Sequence, residues 1–150
     1  RDGISLLMLT AGGGAVVGNL LGGWVTDRIG PFRTLLFLAS AQVVIMPFYS
    51  GLPVPVLLLI AVSFVWAGVG WAFMAAQQSR LLAMAPDNAS ILMALNAAAI
   101  YIGAAIGSGA GAAVISRSGL GALGYTGASG ALVALVILLI SQRLNSGRSR

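Results

Sequence analysis

Residues 55–78 read PVLLLIAVSFVWAGVGWAFMAAQQ, a run without one charged side chain. At 1.5 Å rise per residue it makes a helix of roughly 36 Å, enough to cross the ~30 Å hydrocarbon core of a bilayer. With four more runs like it in the chain, no amphipathic partner with a polar face is left for it, which favours lipid over a soluble core. Working outward from it, four more stretches are free of charge, and the expected spans are 4–25, 34–50, 55–78, 91–116 and 120–141. The second is the shortest. The expected fold class is therefore all-α, a polytopic transmembrane bundle of about five spans over residues 1–141, with 142–150 as a cytoplasmic tail whose end, 145–150, is expected to be disordered.

Composition excludes the soluble alternatives. The 150 residues are 59% apolar and 7% charged, with a mean hydropathy of +1.00, whereas a soluble domain carries roughly 25% charge. No core in a chain of this length absorbs that apolar excess, so lipid must take the remainder. The net charge of +5 comes from eight arginines against three acids. These arginines stand in ones and twos between apolar runs, not along a basic face, which excludes a nucleic-acid interface. Cysteine and histidine are both absent. That removes disulfides, zinc sites, thiol nucleophiles and Ser-His-Asp chemistry, and no acid stands within a span to activate a hydroxyl. The expectation is a non-enzyme with neither metal nor cofactor.

Between the spans lie turn-forming residues. Pro31 and Pro55 suit helix starts and Ser90 suits an N-cap. Five spans make the connections alternate sides: Arg28, Arg33, Arg80, Arg143, Arg148 and Arg150 fall on one, Arg1 and Arg117 on the other. Six against two places the first group in the cytoplasm by the positive-inside rule, together with the C-terminus, in a multi-pass protein of the cell (inner) membrane. The N-terminus then lies outside, and with no leader at Arg1 the chain is expected to be a piece of a longer protein.

Glycine is distributed unevenly. Gly14, Gly18 and Gly22 step by four along the first span, and Gly103, Gly107 and Gly111 do the same along the fourth, beside Ala104, Ser108 and Ala110. Small residues at that spacing let helix backbones approach closely, so spans one and four are expected to be inner packing helices. The second run (LLFLASAQVVIM) and the end of the fifth (LVALVILLI) are bulky and are expected to face hydrocarbon.

The first connection reads Gly23-Trp24-Val25-Thr26-Asp27-Arg28-Ile29-Gly30-Pro31-Phe32-Arg33, a G-x-x-x-D-R-x-G-x-x-R pattern. Gly23 permits close approach at the helix end, and Gly30 permits a turn with positive φ. Asp27 is placed to accept hydrogen bonds from the free N–H groups of the next helix. Arg28 and Arg33 can pair with acids of neighbouring helix ends, and Arg80 and Asp87 belong to the same face, so a cytoplasmic gate of paired charges is one expectation and an ordinary turn with topogenic arginines is the other.

This loop resembles the signature of the major facilitator superfamily. The likeness extends through Gln78-Ser79-Arg80-Leu81-Leu82-Ala83-Met84-Ala85-Pro86, Ala94-Leu95-Asn96, the Gly103 to Gly111 glycines and the link from Arg117 to Gly121, which look like the tenth helix onward of arabinose-efflux-like and drug:proton antiporter members. Pro31 and Phe32 stand where the family loop usually has basic residues, as in second-half copies. The resemblance implies helices eight to twelve of a twelve-helix fold. It implies alternating access and proton-coupled efflux of a drug, sugar or metabolite, with the lipid bilayer, the substrate and the N-terminal half of the same transporter as partners. Since no ionisable residue lies within a span here, the proton-carrying acid is expected in that other half.

For the substrate cavity, Ser63, Trp66, Gly70, Phe73 and Gln77 step by three and four along one face of the third span, and Asn96 and Tyr101 are the main polar groups of the fourth. Trp66 lies near mid-span, away from the interfacial belt, which suits a cavity for apolar or cationic molecules. Packing between helices is the alternative for all of them, and Asn19 is equally placed for an interhelical hydrogen bond. Two other functions fit the same hydropathy: a permease subunit, which would need a cytoplasmic coupling loop, and a non-transporting membrane anchor or assembly protein, which would have no water-accessible cavity.

Overall fold

A computed structural model describes residues 2–51 and 53–148. Leu52, in the second connection, and Arg1 and Arg150, in the charge count, lie outside the described residues.

Five α-helices follow one another: α1 (Asp2–Ile29), α2 (Pro31–Ile45), α3 (Val56–Met84), α4 (Ala89–Ser118) and α5 (Leu123–Arg148). Short 3₁₀ turns at Met46–Ser50, Pro86–Asn88 and Leu120–Ala122 extend α2 or lead into α4 and α5. All five helical segments are long and apolar enough to cross a membrane, and the all-helical architecture is consistent with a multi-pass bundle.

The helices run past the expected limits. Arg28, Arg80 and Arg117 all lie inside helices, because a long arginine side chain at a helix end reaches the headgroup region while its backbone stays hydrogen-bonded. The segment expected to be a disordered tail is helical as far as Arg148. Ser90 is not the N-cap of α4: Pro86 starts a 3₁₀ turn that runs straight into the helix, and the cap position falls to Asn88.

The short second span is resolved by its second half. Fifteen α-helical residues reach only about 22 Å, but Pro47 converts the last five residues to a 3₁₀ turn that rises about 2.0 Å per residue, for a total near 32 Å.

Two glycines take the left-handed conformation, Gly30 (φ 85°) and Gly119 (φ 75°), and each ends a helix where an L-residue would be strained. Around Gly30 the backbone stays paired: Gly30 N–H donates to the Thr26 carbonyl (2.9 Å) and Thr34 N–H to the Gly30 carbonyl (3.2 Å). The hydroxyls of Thr26 and Thr34 are spent on the carbonyls of Gly22 and Gly30.

Packing centres on α3. Along one of its faces Phe64, Gly68 and Ala72 receive Gly14, Gly18 and Gly22 of α1, and a Cβ built at any of the three α1 glycines would overlap α3 atoms. Each step of four on α1 meets a step of four on α3, so the two helices run parallel in constant register. A second face of α3 packs on α2, where Leu35 is fully buried with Ala76 and with Leu138 of α5, flanked by Phe32, Leu36 and Phe73.

Here the sequence expectation for α2 fails. Thr34, Leu35, Leu38 and Ala39 are buried, so one face of this helix is central to the bundle and only the other is open to the surroundings. Its small and branched residues repeat at three and four, while Phe37 and Val44 are largely exposed. In lipid both faces are apolar, and hydropathy does not separate them. The bulky end of α5 behaves more as expected: Leu138 is buried, but Val133, Val136, Ile137, Leu139 and Ile140 are exposed to the surroundings of the bundle.

α5 also carries a glycine contact. Gly124 and Gly127 press against Met46 and Ser50, and Tyr125 N–H donates to Ser50 Oγ (3.2 Å).

By contrast α4 buries no residue among its own. Gly103 and Gly107 have nothing within 4 Å of where a Cβ would stand, and Gly111 meets only Leu123 Cδ1 at 3.6 Å. Within this chain α4 is a peripheral helix.

Candidate functional site

A cavity of about 570 Å³ opens part-way along the bundle, where α1, α2, α3 and α4 face one another. Its wall on α1 is Ala11, Gly12 and Ala15; α3 contributes Trp66, Ala67, Gly70, Trp71 and Met74; Ile100 closes it from α4. Small residues on α1 leave the space, and the two tryptophans give it an aromatic wall.

Gln42 of α2 supplies the polar group. Its Nε2 donates to the Trp66 carbonyl at 3.4 Å, a long bond. The room for that amide comes from Gly70, where a Cβ would stand 3.4 Å from Gln42 Nε2. Gln42 Oε1 is buried and has no hydrogen-bond partner. A buried acceptor left unpaired costs on the order of 1–3 kcal/mol; Oε1 is itself closed to solvent, so a hydroxyl, amide or ammonium donor in the cavity reaches it once the carboxamide turns toward the cavity.

Trp66 is held from the other side by Tyr49 of the 3₁₀ turn. Their rings meet edge to face at 6.1 Å between centroids and 73°, a favourable aromatic geometry. Tyr49 Oη in turn shares a hydrogen bond with Ser63 Oγ (3.2 Å).

The expected face of α3 thus divides between roles. Trp66 and Gly70 line the cavity, Ser63 ties down Tyr49, and Phe73 packs in the Leu35 cluster. Gln77 and Asn96 are half-buried away from the cavity wall, while Tyr101 is 76% exposed and Asn19 is exposed. Gln42 and Tyr49 were missed by the sequence reading. The signal for Gln42 was present, a lone carboxamide in the middle of LLFLASAQVVIM.

At the arginine-rich end the motif residues gather without pairing as expected. Arg28 stacks over the ring of Trp24, one turn back on α1, at 4.1 Å to the centroid. Arg80 Nη2 donates to Ser141 Oγ of α5 (3.1 Å). Asp27 and Asp87 are exposed. The start of α2 has no side-chain cap hydrogen bond, so Asp27 does not serve its free N–H groups: the Gly30 turn carries α2 away from the exposed side of α1 on which Asp27 sits. Gly23 has nothing within 4 Å of a built Cβ, and Arg33 lines a separate cavity with Arg80.

Among the described residues no group of three or more His, Cys, Asp or Glu side chains stands together to hold a metal. A smaller cleft of about 270 Å³ follows the α1–α3 seam, but its lining is apolar apart from Thr34, whose hydroxyl is already bonded. No protein-family model matches the chain, and no solved structure matches it.

Proposed function

We propose that this chain forms part of a secondary active transporter of the major facilitator type, embedded in the cell (inner) membrane with its arginine-rich end cytoplasmic. It moves a small molecule by alternating access and is not an enzyme. The observation that carries the reading is the cavity in the helix bundle walled on one side by Trp66 and Trp71 and bordered by Gln42, whose carboxamide oxygen has no partner. Polar groups inside a membrane are costly, and one left unpaired beside a void suits a solute that is bound and released, not a fixed packing contact.

The loop pattern from Gly23 to Arg33 and the uncovered glycine face of α4 support the same reading, the latter because further helices of the transporter would cover it. Coupling to protons then relies on an acid contributed by those helices, and the substrate is a drug, sugar or metabolite bearing a hydrogen-bond donor.

The test uses the absence of native cysteine. Single Ala15→Cys and Gly70→Cys variants in membrane vesicles are expected to react with a membrane-impermeant thiol reagent, and Val44→Cys, exposed on α2 outside the cavity walls, is not. Transported solute should protect the first two. Failure of both cavity positions to react would favour a membrane anchor or assembly protein.

A further inference from the structure

We propose that the arginine-rich end of the bundle holds an anionic phospholipid, its phosphate between Arg33 and Arg80 and an acyl chain along α5. This inference is independent of the transport reading.

A cavity of about 540 Å³ lies where α2 begins and where α3 and α5 end, and Arg33, Arg80 and Asn145 are among its walls. A second cavity of about 350 Å³ shares Met84 and Asn145 with it and continues along α5 past Ile140 to Ile137. The two differ in character. The first presents two guanidinium groups and the carboxamides of Gln142 and Asn145; the second presents a mainly apolar channel whose Ile137 and Ile140 are exposed to the surroundings of the bundle. No carboxylate lines either.

The charge is held in place. Arg80 donates to Ser141 Oγ at 3.1 Å, and Ser141 itself lines the apolar channel, so this guanidinium is anchored at the junction of the two cavities with donors to spare. The uncapped first turn of α2 opens into the same space, bringing the positive end of a 15-residue helix to where a phosphate would lie. A free anion would use only the first cavity. A phospholipid uses both, because its headgroup and its chain are covalently joined, as the two cavities are joined at Met84 and Asn145.

The full chain in a mild detergent is titrated with dioleoyl phosphatidylglycerol, dioleoyl phosphatidylcholine and inorganic phosphate, and bound molecules are counted by native mass spectrometry. Phosphatidylglycerol should bind at least about tenfold tighter than phosphatidylcholine, and Arg33→Gln/Arg80→Gln should weaken it about thirtyfold, given the usual strength of an arginine near anionic lipid. Arg33→Gln alone keeps the Arg80–Ser141 bond between helices and should weaken it about fivefold, which secures the test if the double variant does not fold. Ile140→Trp, which fills the channel, should weaken lipid binding with both arginines intact, and Arg117→Gln at the opposite end should leave it unchanged. Equal binding of the two lipids, or undiminished binding in Arg33→Gln, overturns the proposal. Displacement of the lipid by millimolar phosphate, with Ile140→Trp without effect, overturns it in favour of a free-anion site.

Discussion

Helices α1 and α4 carry the same signature, three glycines at steps of four, yet they end in opposite surroundings. On α1 those glycines are pressed into Phe64, Gly68 and Ala72 of α3; on α4, no described residue comes within 4 Å of where a Cβ would stand at Gly103 or Gly107. The spacing says that a backbone can be approached closely, and it does not say by what. What separates the two is the partner: α3 offers Gly68 and Ala72 to α1 at matching intervals, whereas among the described residues only Leu123 Cδ1, beside Gly111, comes within 4 Å of a Cβ built on the α4 ladder.

The sharpest way to break this comparison is to fill both ladders. Gly18→Leu drives a side chain into the Gly68 backbone and is expected to cost about 3 kcal/mol or more, since a rigid seam cannot relax as an overpacked core does. Gly107→Leu should change stability by about 0.5 kcal/mol or less. Thermal unfolding in detergent, followed by circular dichroism, reads both, and an equal loss would mean that α4 is packed in a way this bundle does not contain. A second contrast is one of truncation. Leu35→Ala, at a fully buried site, is expected to cost about 2–5 kcal/mol, while Leu95→Ala on exposed α4 should be near neutral; chemical denaturation from micelles would rank them.

Smaller effects sharpen the picture around α3. Gln42→Leu removes a long hydrogen bond and an unpaired acceptor together, so stability should move by about 1 kcal/mol or less in either direction, while the accessibility of Gly70→Cys to thiol reagents falls. A large loss of stability would show the carboxamide to be structural. Last, Arg28→Ala removes the stack on Trp24 and should cost about 0.5–1 kcal/mol, visible as a change in tryptophan emission with little shift in melting temperature.

The five spans were legible because lipid selects on length and hydropathy, which sum over many residues and forgive local detail. Their ends were not, since Arg28, Arg80 and Arg117 remain helical at the interface where charge is tolerated. The α1 ladder was readable as a packing face, but its partner Gly68 lay unnoticed one turn before Ala72. The centrality of α2 was hidden for a deeper reason. Leu35 and Phe37 are both apolar, one at 0% and the other at 68% exposure, and a solvent of hydrocarbon gives sequence no contrast between them. Of the cavity, Trp66 and Gly70 were legible from their period along α3, whereas Gln42 and Tyr49 required knowing that α2 packs on that face.

The α1–α3 seam has a consequence for the order in which the chain is made. Gly18 and Gly68 are fifty positions apart, and parallel neighbours must be separated by a complete return crossing. At about 5–20 residues per second of synthesis, α1 waits roughly 3–10 s before its partner emerges. Through that interval Gly14, Gly18 and Gly22 stand without the α3 face that later closes on them. Within this bundle α1 is therefore the helix on which an insertion chaperone or a competing helix has its longest opportunity to intervene.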